Sequence, residues 1–457
     1  MDRRDFLKSS ALIAIGSAVS QTVKGETTKS QEENKFTDET SAPLIASAPM
    51  LQNYADTSIG VAFAVSHLAN GFVTYGEKPD LSDGKTVMCG GYRVMDVNEN
   101  VMQIRLTGLK TATKYYYQIG AHKIYYKDYH HKKVMGTEID PKIYSFTTAG
   151  KNASSHFCVI NDTHERWEPF GLSMEKIAQL NPSCVIWNGD APRNAAETME
   201  DQKRIFLNPN IERKDYASTT PYLFVNGNHD DRGWANRHLE RVLMFRQPEE
   251  RSSRDWNLGR NFAVRMGDIA LIGLDTAEDK VDENPRFIGI YNSEAYRVAQ
   301  VAWLEDALKQ PEISSAPFLV AFCHIPLYDS NPKANPGDVH PADKDEAYTH
   351  DYAIWQRTCA QLWTPLLQKA GCQVIITAHQ HRYRYDAPTA ERTWAHIVGG
   401  GPNMGYQIKD GKRVDTPNFT GFPTVIEGKV VKNKLEIIVH NIATGKVQDT
   451  FSFKKRK

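Results

Sequence analysis

Seven side chains with oxygen or nitrogen donor atoms fall in five short motifs along this chain. They are Asp162, His164, Asp190, Asn228, His324, His379 and His381. This mixture of carboxylate, amide and imidazole favours Mn, Fe or Zn, because Mg and Ca prefer shells made of oxygen alone. Seven donors exceed the four ligands at which a structural zinc site closes. The residue types therefore predict a catalytic metal centre.

Each of the five motifs directly follows a short apolar run that is typical of a buried strand. The runs are Phe157–Ile160, Val185–Trp187, Tyr222–Val225, Phe318–Phe322 and Val374–Ile376. Apolar residues at helical spacing lie between them, in Ser173–Leu180, Tyr296–Leu308 and Tyr352–Lys369. Such alternation indicates a sheet covered on both faces, with ligands at the carboxyl ends of its strands. We therefore expect all five motifs at one edge of a parallel sheet.

The remaining β-prone runs lie on both sides of this region. Phe262–Val264 and Ile269–Leu274 predict a hairpin, and three runs close the chain at Pro423–Glu427, Lys434–Val439 and Val447–Phe453. Between residues 43 and 150, five short runs separated by turn residues predict a small β-sandwich. They are Ile59–Val65, Gly71–Gly76, Val101–Leu106, Lys114–Ile119 and Ile143–Thr148.

The amino terminus has the order of features found in an export signal. Arg3, Arg4 and Lys8 precede an apolar run that is too short to span a bilayer. The segment Arg3–Lys8 resembles the bacterial twin-arginine signal, which implies the twin-arginine export machinery and a periplasmic or extracellular location. We expect a signal peptide over residues 1–20, a disordered linker over residues 21–42, and no membrane anchor. The alternative is a chance basic start on a cytoplasmic protein.

Bulk charge and cysteine content exclude other classes. Lys plus Arg and Asp plus Glu both number 55, so the chain lacks the basic excess of a nucleic-acid-binding protein. Its six cysteines form no C-x-x-C pair, and Cys158, Cys184 and Cys323 lie in or beside apolar runs. We expect small buried side chains there, with thiolate–metal or disulfide chemistry as the alternative.

The five motifs, taken in order, resemble the pattern D-x-H, G-D, G-N-H-[E/D], H and G-H-x-H of the calcineurin-like metallophosphoesterase superfamily. The resemblance implies an α/β (α+β) fold for residues 151–457, with a two-layered β-sandwich core flanked by helices. Residues 43–150 resemble the fibronectin-type domain that precedes the catalytic domain in purple acid phosphatases. Gly71–Gly76, Leu106–Leu109 and Phe146–Thr148 carry this second resemblance.

The superfamily pattern also implies a division of the ligands between two divalent or trivalent ions. Asp162, His164 and His381 would hold one ion. Asn228, His324 and His379 would hold the other, and Asp190 would bridge both. Two such ions can share a hydroxide that attacks phosphorus. His229 would contact the phosphate and protonate the leaving oxygen, while the neighbouring Asp230 would orient that imidazole and raise its pKa.

The chain departs from these patterns at two positions, Ala378 and Arg193. Ala378 replaces the Gly of G-H-x-H, which is harmless only if the backbone there needs no positive φ. Arg193 stands where purple acid phosphatases place a metal-bound Tyr, and His164 is absent from those enzymes, so their colour and iron preference do not transfer. Arg193 is a candidate phosphate contact, with a surface salt bridge as the alternative.

Two tryptophans and one long loop are candidates for substrate recognition. Trp167 and Trp234 follow their motifs in polar loops, although most tryptophans serve packing. The segment Tyr328–His350 follows His324 without any periodicity, so we expect a loop that roofs the pocket.

These observations predict an exported phosphoesterase that acts on small phosphate esters, with phosphomonoesters favoured by the acid-phosphatase-like β-domain. A phosphodiesterase of nucleotides or of sugar- or lipid-linked phosphodiesters is the alternative. A non-catalytic binding module with a vestigial site is a distant third, because it predicts missing ligands and all seven positions hold competent side chains. The sequence predicts no oligomeric state.

Overall fold

The computed structural model describes residues 42–89, 97–208, 215–245, 256–327, 346–409, 412–415 and 421–456. The predicted signal peptide, all but the last residue of the predicted linker, and residues 328–345 of the predicted loop lie outside these ranges. The end of that loop is helical, because Glu346–His350 belong to a long helix.

The described elements before residue 150 are all strands. They are β1 Met50–Gln52, β2 Ser58–Ala64, β3 Ala69–Gly76, β4 Lys85–Met88, β5 Val101–Thr107, β6 Lys114–Asp128, β7 His131–Ile139 and β8 Tyr144–Thr147. The predicted runs fall on β2, β3, β5, β6 and β8. The second half of β6 and the exposed strand β7 have no apolar alternation, so the sequence pattern missed them.

The second part mixes strands and helices. Its elements are β9 His156–Ile160, α1 Trp167–Leu180, β10 Cys184–Asn188, α2 Met199–Phe206, β11 Tyr222–Val225, β12 Phe262–Met266, β13 Ile269–Gly273, α3 Ser293–Lys309, α4 Pro311–Ser314, β14 Phe318–Phe322, α5 Glu346–Lys369, β15 Val374–Thr377, β16 Arg384–Asp386, β17 Ala395–Val398, β18 Tyr406–Lys409, β19 Lys412–Asp415, β20 Thr424–Val431, β21 Lys434–Asn441 and β22 Lys446–Phe453. Two 3₁₀ segments, His229–Asp231 and Asn236–Arg241, follow β11.

Two large sheets pack face to face to form the core. The first has the strand order β22-β21-β20-β9-β10-β11-β1-β2-β5, and the second has the order β12-β13-β14-β15-β17-β16. Apolar side chains from both sheets fill the space between them, as where the rings of Phe157 and Phe322 meet edge to face at 5.7 Å. Helices α1 and α2 cover the outer face of the first sheet, and α3 and α5 cover the second. The predicted β-sandwich core flanked by helices is confirmed.

The prediction that all five motifs end at one edge of one parallel sheet is wrong. Strands β9, β10 and β11 pair in parallel in the first sheet, whereas β14 and β15 pair in parallel in the second. An apolar run looks the same whichever of two packed sheets it joins, so periodicity alone cannot assign it. The motifs still meet, because the ligand-bearing ends of the two sets of strands lie at the same end of the sandwich.

The amino-terminal strands form a sandwich that shares a sheet with the rest of the molecule. β2 and β5 pack against β3 and β6 through a common apolar core. β1 pairs with β2 on one side and with β11 on the other, where Gln52 lies opposite Tyr222. The first sheet therefore runs without a break across the boundary expected near residue 150.

Two smaller observations concern the membrane and the cysteines. Among the helices in the described ranges, none is both long and apolar enough to cross a bilayer. Cys158, Cys184, Cys323, Cys359 and Cys372 are buried free thiols, and Cys89 is half-buried.

Candidate metal centre

The ligand-bearing turns have an unusual backbone. Asp162, Asp190, His379 and His381 all have positive φ, between 45° and 69°. This left-handed conformation is uncommon for residues with a side chain. It reverses the chain at the end of each strand and brings the side chain to the sheet edge. Backbone strain of this kind often marks a functional site.

One group of ligand atoms lies around Asp162. His164, Asp190 and His381 join it, and the ligand atoms of these four residues all lie within 4.8 Å of one another. Asp162 Oδ1 is 3.4 Å from Nε2 of His381, and Nε2 of His164 is 3.6 Å from Oδ2 of Asp190. The Asn161 amide donates to Asp162 Oδ2 at 2.6 Å and fixes that carboxylate.

A second group lies on the other side of Asp190, which belongs to both. His324 and His379 complete it, with Nε2 of His324 at 3.2 Å from Oδ2 of Asp190. The amide oxygen of Asn228 lies 2.9 Å from Nδ1 of His379. The structure thus brings all seven predicted ligands together in two groups that share Asp190. Their role as ligands stays a prediction.

The protonation pattern of two imidazoles fits a metal centre. Nδ1 of His164 lies 2.9 Å from the carbonyl oxygen of Pro192, and Nδ1 of His324 lies 2.8 Å from that of Asn188. A carbonyl only accepts, so each Nδ1 carries a proton and each Nε2 faces the cage, the space enclosed by the seven predicted ligands. Nε2 of His324 is buried and makes no hydrogen bond. Nε2 of His164 faces Nε2 of His381 at 2.9 Å.

Electrostatics favour the metal-binding form of Asp162 and His379. Burial opposes ionisation of Asp162, but the nearby imidazoles of His381 and His324 outweigh it and lower its pKa to about 2. Burial lowers the pKa of His379 to about 4, so this ring is neutral near pH 7. An ionised carboxylate and a neutral imidazole are the forms that coordinate metals. Burial opposes protonation of His324, but the carboxylates of Asp190 and Asp162 outweigh it and raise its pKa to about 10, so a cation would displace a proton from this ring. The donor set therefore fits two transition-metal ions.

Close contact at the glycines explains their positions in the motifs. Gly189 has a φ of 78°, and a Cβ there would lie 2.8 Å from Gly227 Cα and overlap the His324 ring. A Cβ at Gly227 would lie 2.5 Å from the amide nitrogen of Asp190. Ala378, in contrast, is not among the residues with positive φ, so an alanine fits the position that the family gives to glycine.

His229 lies beside the cage, but Asp230 does not contact it as expected. Nε2 of His229 is 4.0 Å from Oδ2 of Asp190. The Asp230 carboxylate instead accepts hydrogen bonds from the backbone N–H groups of Gly227, Asp190 and Ala191. Burial lowers the pKa of His229 to about 4, with Arg232 lowering it and Asp190 opposing the shift. The pKa of His229 is therefore lowered, and the Asp230 carboxylate stabilises the turns at the strand ends. The catalytic role of Asp230 stays a prediction.

A buried cluster of charges beside His229 was missed by the sequence reasoning. Arg232 binds Glu278 and Asp279, and Lys280 binds Asp279 at 2.5 Å. Asp279 Oδ2 also lies 3.8 Å from Nε2 of His379. The only signal in the sequence was the run Glu278–Lys280 shortly after a buried strand.

The three predicted substrate contacts lie in different environments. Arg193 is exposed, and within the described ranges its side chain makes no hydrogen bond or ion pair, so the alternative salt bridge is not observed there. Trp234 is 66% exposed and stacks on the Arg237 guanidinium at 3.6 Å. Trp167 is half-buried and is the first residue of α1, against the expectation of a loop. Their contact with substrate stays a prediction.

Two face-to-face sheets with Asp, Asn and His side chains gathered across their ends define a protein of the metallophosphoesterase fold. The chain belongs to the calcineurin-like phosphoesterase family, whose model matches residues 155–383.

Two curated relatives from Arabidopsis thaliana are similar in sequence. Purple acid phosphatase 18 is 22% identical over 170 residues, which cover 36% of this chain and 31% of that protein. Probable purple acid phosphatase 20 is 24% identical over 298 residues, covering 64% of this chain and 56% of that protein. The chain thus matches about a third and about half of the length of these relatives.

Solved structures extend the similarity to nearly the whole chain. The purple acid phosphatase PPD1 from yellow lupin (Lupinus luteus) seeds has a TM-score of 0.57 at 15% identity, covering 90% of this chain and 75% of that one. PhoD has a TM-score of 0.61 at 10% identity, covering 91% and 92%. At 15% and 10% sequence identity, the structural similarity shows that the fold is shared.

Proposed function

We propose that this protein is an exported metal-dependent phosphoesterase that hydrolyses small phosphate esters, with monoesters preferred. The observation that carries the proposal is the pair of ligand groups joined by Asp190. A shared carboxylate between two such groups is the arrangement that two-metal hydrolysis of a phosphate ester needs. When bound, two ions would supply an activated hydroxide and stabilise the charge on the phosphoryl group.

The roles of the protein side chains follow from their positions. Asp162, His164 and His381 would hold one ion. Asn228, His324 and His379 would hold the second ion, and Asp190 would contact both. The buried carbonyl partners of His164 and His324 keep those rings oriented, which limits the reorganisation needed when the substrate binds.

His229 is the proposed proton donor for the leaving oxygen. Its ring lies beside the cage without joining it, at 4.8 Å between ring centroids from His164. Its side chain is 22% exposed, so a bound ester can reach it. Its pKa of about 4 means that the protonated, proton-donating form of the ring is populated at acid pH, where it would act on the side of the phosphoryl group from which the alcohol departs.

The preference for monoesters rests on two supporting facts. Two curated relatives with sequence similarity are named as purple acid phosphatases, one of them as probable, and the described strands before residue 150 pack around a common apolar core, which supports the proposed β-domain. Exposed Arg193 and Trp234 are proposed to contact the phosphate and the alcohol of the substrate, and Trp167 is a further candidate. Activity on bis-nitrophenyl phosphate above that on nitrophenyl phosphate would instead favour a phosphodiesterase.

Elemental analysis of the purified protein, combined with a panel of mono- and diesters, tests the proposal. Asp190→Asn should lose both metal ions and hydrolysis, because both groups depend on this carboxylate. Asp386→Asn is a matched control, since Asp386 is a nearly buried carboxylate that binds Arg384 and His396. The control should keep metal and activity. An Asp190→Asn variant with full turnover would contradict the proposed site.

Export and domain organisation belong to the same proposal. We propose a twin-arginine signal over residues 1–20, a linker over residues 21–42, a fibronectin-type domain over residues 43–150 and a catalytic domain over residues 151–457. Replacing Arg3 and Arg4 with Lys should hold the precursor in the cytoplasm, measured by fractionation and immunoblotting. Normal export of that variant would rule out the twin-arginine route.

A further inference from the structure

Arg232 occupies the same side of a 3₁₀ turn as His229. The turn covers His229–Asp231 and ends at Arg232. In a 3₁₀ helix, side chains three residues apart eclipse one another. Nη1 of Arg232 accordingly lies 3.2 Å from Nε2 of His229, and the guanidinium reaches the edge of the cage.

Two buried carboxylates hold this guanidinium in one orientation. Nε and Nη2 of Arg232 donate to the two oxygens of Glu278 at 2.8 and 2.6 Å, and Nη2 also donates to Asp279 Oδ1 at 2.9 Å. The side chains of Glu278 and Asp279 are 1% and 3% exposed. Lys280 Nζ also pairs with Asp279 Oδ1 at 2.5 Å.

The hydrogen bonds to Glu278 and Asp279 use Nε and Nη2 of the guanidinium, whereas Nη1 lies on the side of His229. Within the described ranges, His229 is the single acceptor for Nη1, and Nη1 carries a second N–H. The Arg232 side chain is 23% exposed, so it is not sealed from solvent. Burying four charges is costly, and replacing such a cluster with apolar residues is often neutral for stability. A fixed donor beside the reaction centre gives the cluster a function other than stability.

We propose that Arg232 binds a phosphoryl oxygen of the substrate through Nη1, next to His229, and that Glu278 and Asp279 position it. The inference rests on the proposed function and adds a specificity residue to it. A fixed guanidinium recognises a phosphate group by geometry as well as charge, which a mobile ammonium does not. Because the donor is held in advance, it stabilises the negative charge of the transferred group without reorganisation.

Inorganic phosphate is the probe, since it needs only the phosphoryl contacts. Its affinity for the metal-loaded protein is measured by calorimetric titration, together with metal content and with kcat and KM for nitrophenyl phosphate. Arg232→Lys should keep both ions and bind phosphate about tenfold more weakly, the loss of one charge-assisted hydrogen bond. Glu278→Gln should also weaken phosphate binding, although Glu278 itself is not proposed to contact the phosphate.

Arg260→Lys is the matched control. Arg260 is also a largely buried arginine paired with two carboxylates, Asp231 and Asp275, and no contact joins it to His229. This variant should bind phosphate as the wild type does.

The outcomes separate this inference from the proposed function. Phosphate affinity within twofold of wild type in Arg232→Lys would overturn the inference, and so would loss of metal, because Arg232 would then act on the cage. If Arg232→Lys fails to fold, judged by circular dichroism, unchanged phosphate affinity in Glu278→Gln overturns it. If the wild type binds metal and phosphate but hydrolyses no ester, the proposed function fails while the Arg232 contact is still measured by titration.

Discussion

His229 lies between the carboxylate shared by the two ligand groups and the guanidinium of Arg232. It belongs to neither of the two groups of ligand atoms. Its replacement should therefore separate metal binding from catalysis, which the replacement of a ligand cannot do.

We expect His229→Ala to keep both ions and to reduce kcat by roughly 10²–10⁴-fold, the usual contribution of a proton-transfer residue. The reduction should be greatest for alcohols that are poor leaving groups, since these depend most on protonation. Metal analysis and a leaving-group series measure both effects. His238→Ala, in the following 3₁₀ segment, is the control and should behave as wild type. A loss of metal in His229→Ala would assign this ring to the cage instead.

At this scale the sequence predicts which side chains gather, but not which way each one faces. The motif places Asp230 next to His229, and adjacency suggested contact between the two. In a 3₁₀ turn, however, successive side chains point about 120° apart, so Asp230 faces back toward the strand ends. Arg232, three residues on, takes the place beside the imidazole. The turn type that decides this is not visible in the residue pattern.

The turns between strands and loops are the elements that fix the cage. Gly189 has a φ of 78° and is packed against Gly227 and His324, whereas Gly289 has the same φ of 78° and no neighbour within 4 Å of an added Cβ. The two glycines therefore separate the effect of backbone conformation from that of close packing.

Gly289→Ala should cost roughly 1–2 kcal/mol, the penalty for a side chain in the left-handed region, and Gly189→Ala should cost more because its Cβ would also overlap Gly227 and His324. Only Gly189→Ala should also lose metal, because its Cβ displaces the His324 ring. Chemical denaturation and elemental analysis measure the two quantities. Equal metal content in the two variants would show that the turn tolerates a side chain.

The positions of the strands in the chain were predictable from the sequence, but the assignment of each strand to one of the two sheets was not. The apolar runs before Asp162, Asp190, Asn228, His324 and His379 all form buried strands, because burial on both faces leaves a continuous apolar signal. Whether a buried strand joins one sheet or another depends on pairing partners that lie far away in sequence. The exposed strand β7 gave no apolar signal and depends for its position on its pairing with β6.

At the scale of the whole molecule, the shared sheet joins the two predicted domains. Strands β1, β2 and β5 extend the sheet that carries Asp162 and Asp190, and the Tyr117 hydroxyl donates to the carbonyl of Ser218 at 2.6 Å. Removing residues 43–150 would expose the edge of β11 and the apolar side chains beside it. We therefore expect the two parts to be thermodynamically coupled.

Unfolding in urea should show one common transition for both parts. All eight tryptophans lie after residue 150, so their fluorescence follows the second part alone. Hydrogen exchange of β2 and β5, measured by mass spectrometry at each urea concentration, follows the first. The two midpoints should coincide. A separate, earlier loss of protection in β2 and β5 would mean that the continuous sheet does not couple the two parts.

Each group of ligands takes members from both packed sheets. Asp162, His164, Asp190 and Asn228 extend from the first sheet, while His324, His379 and His381 extend from the second. Neither layer alone offers a complete coordination sphere, so high-affinity metal uptake has to wait until the layers have docked. Bound ions would then act as cross-links between the layers, and metal content would report on the completion of folding.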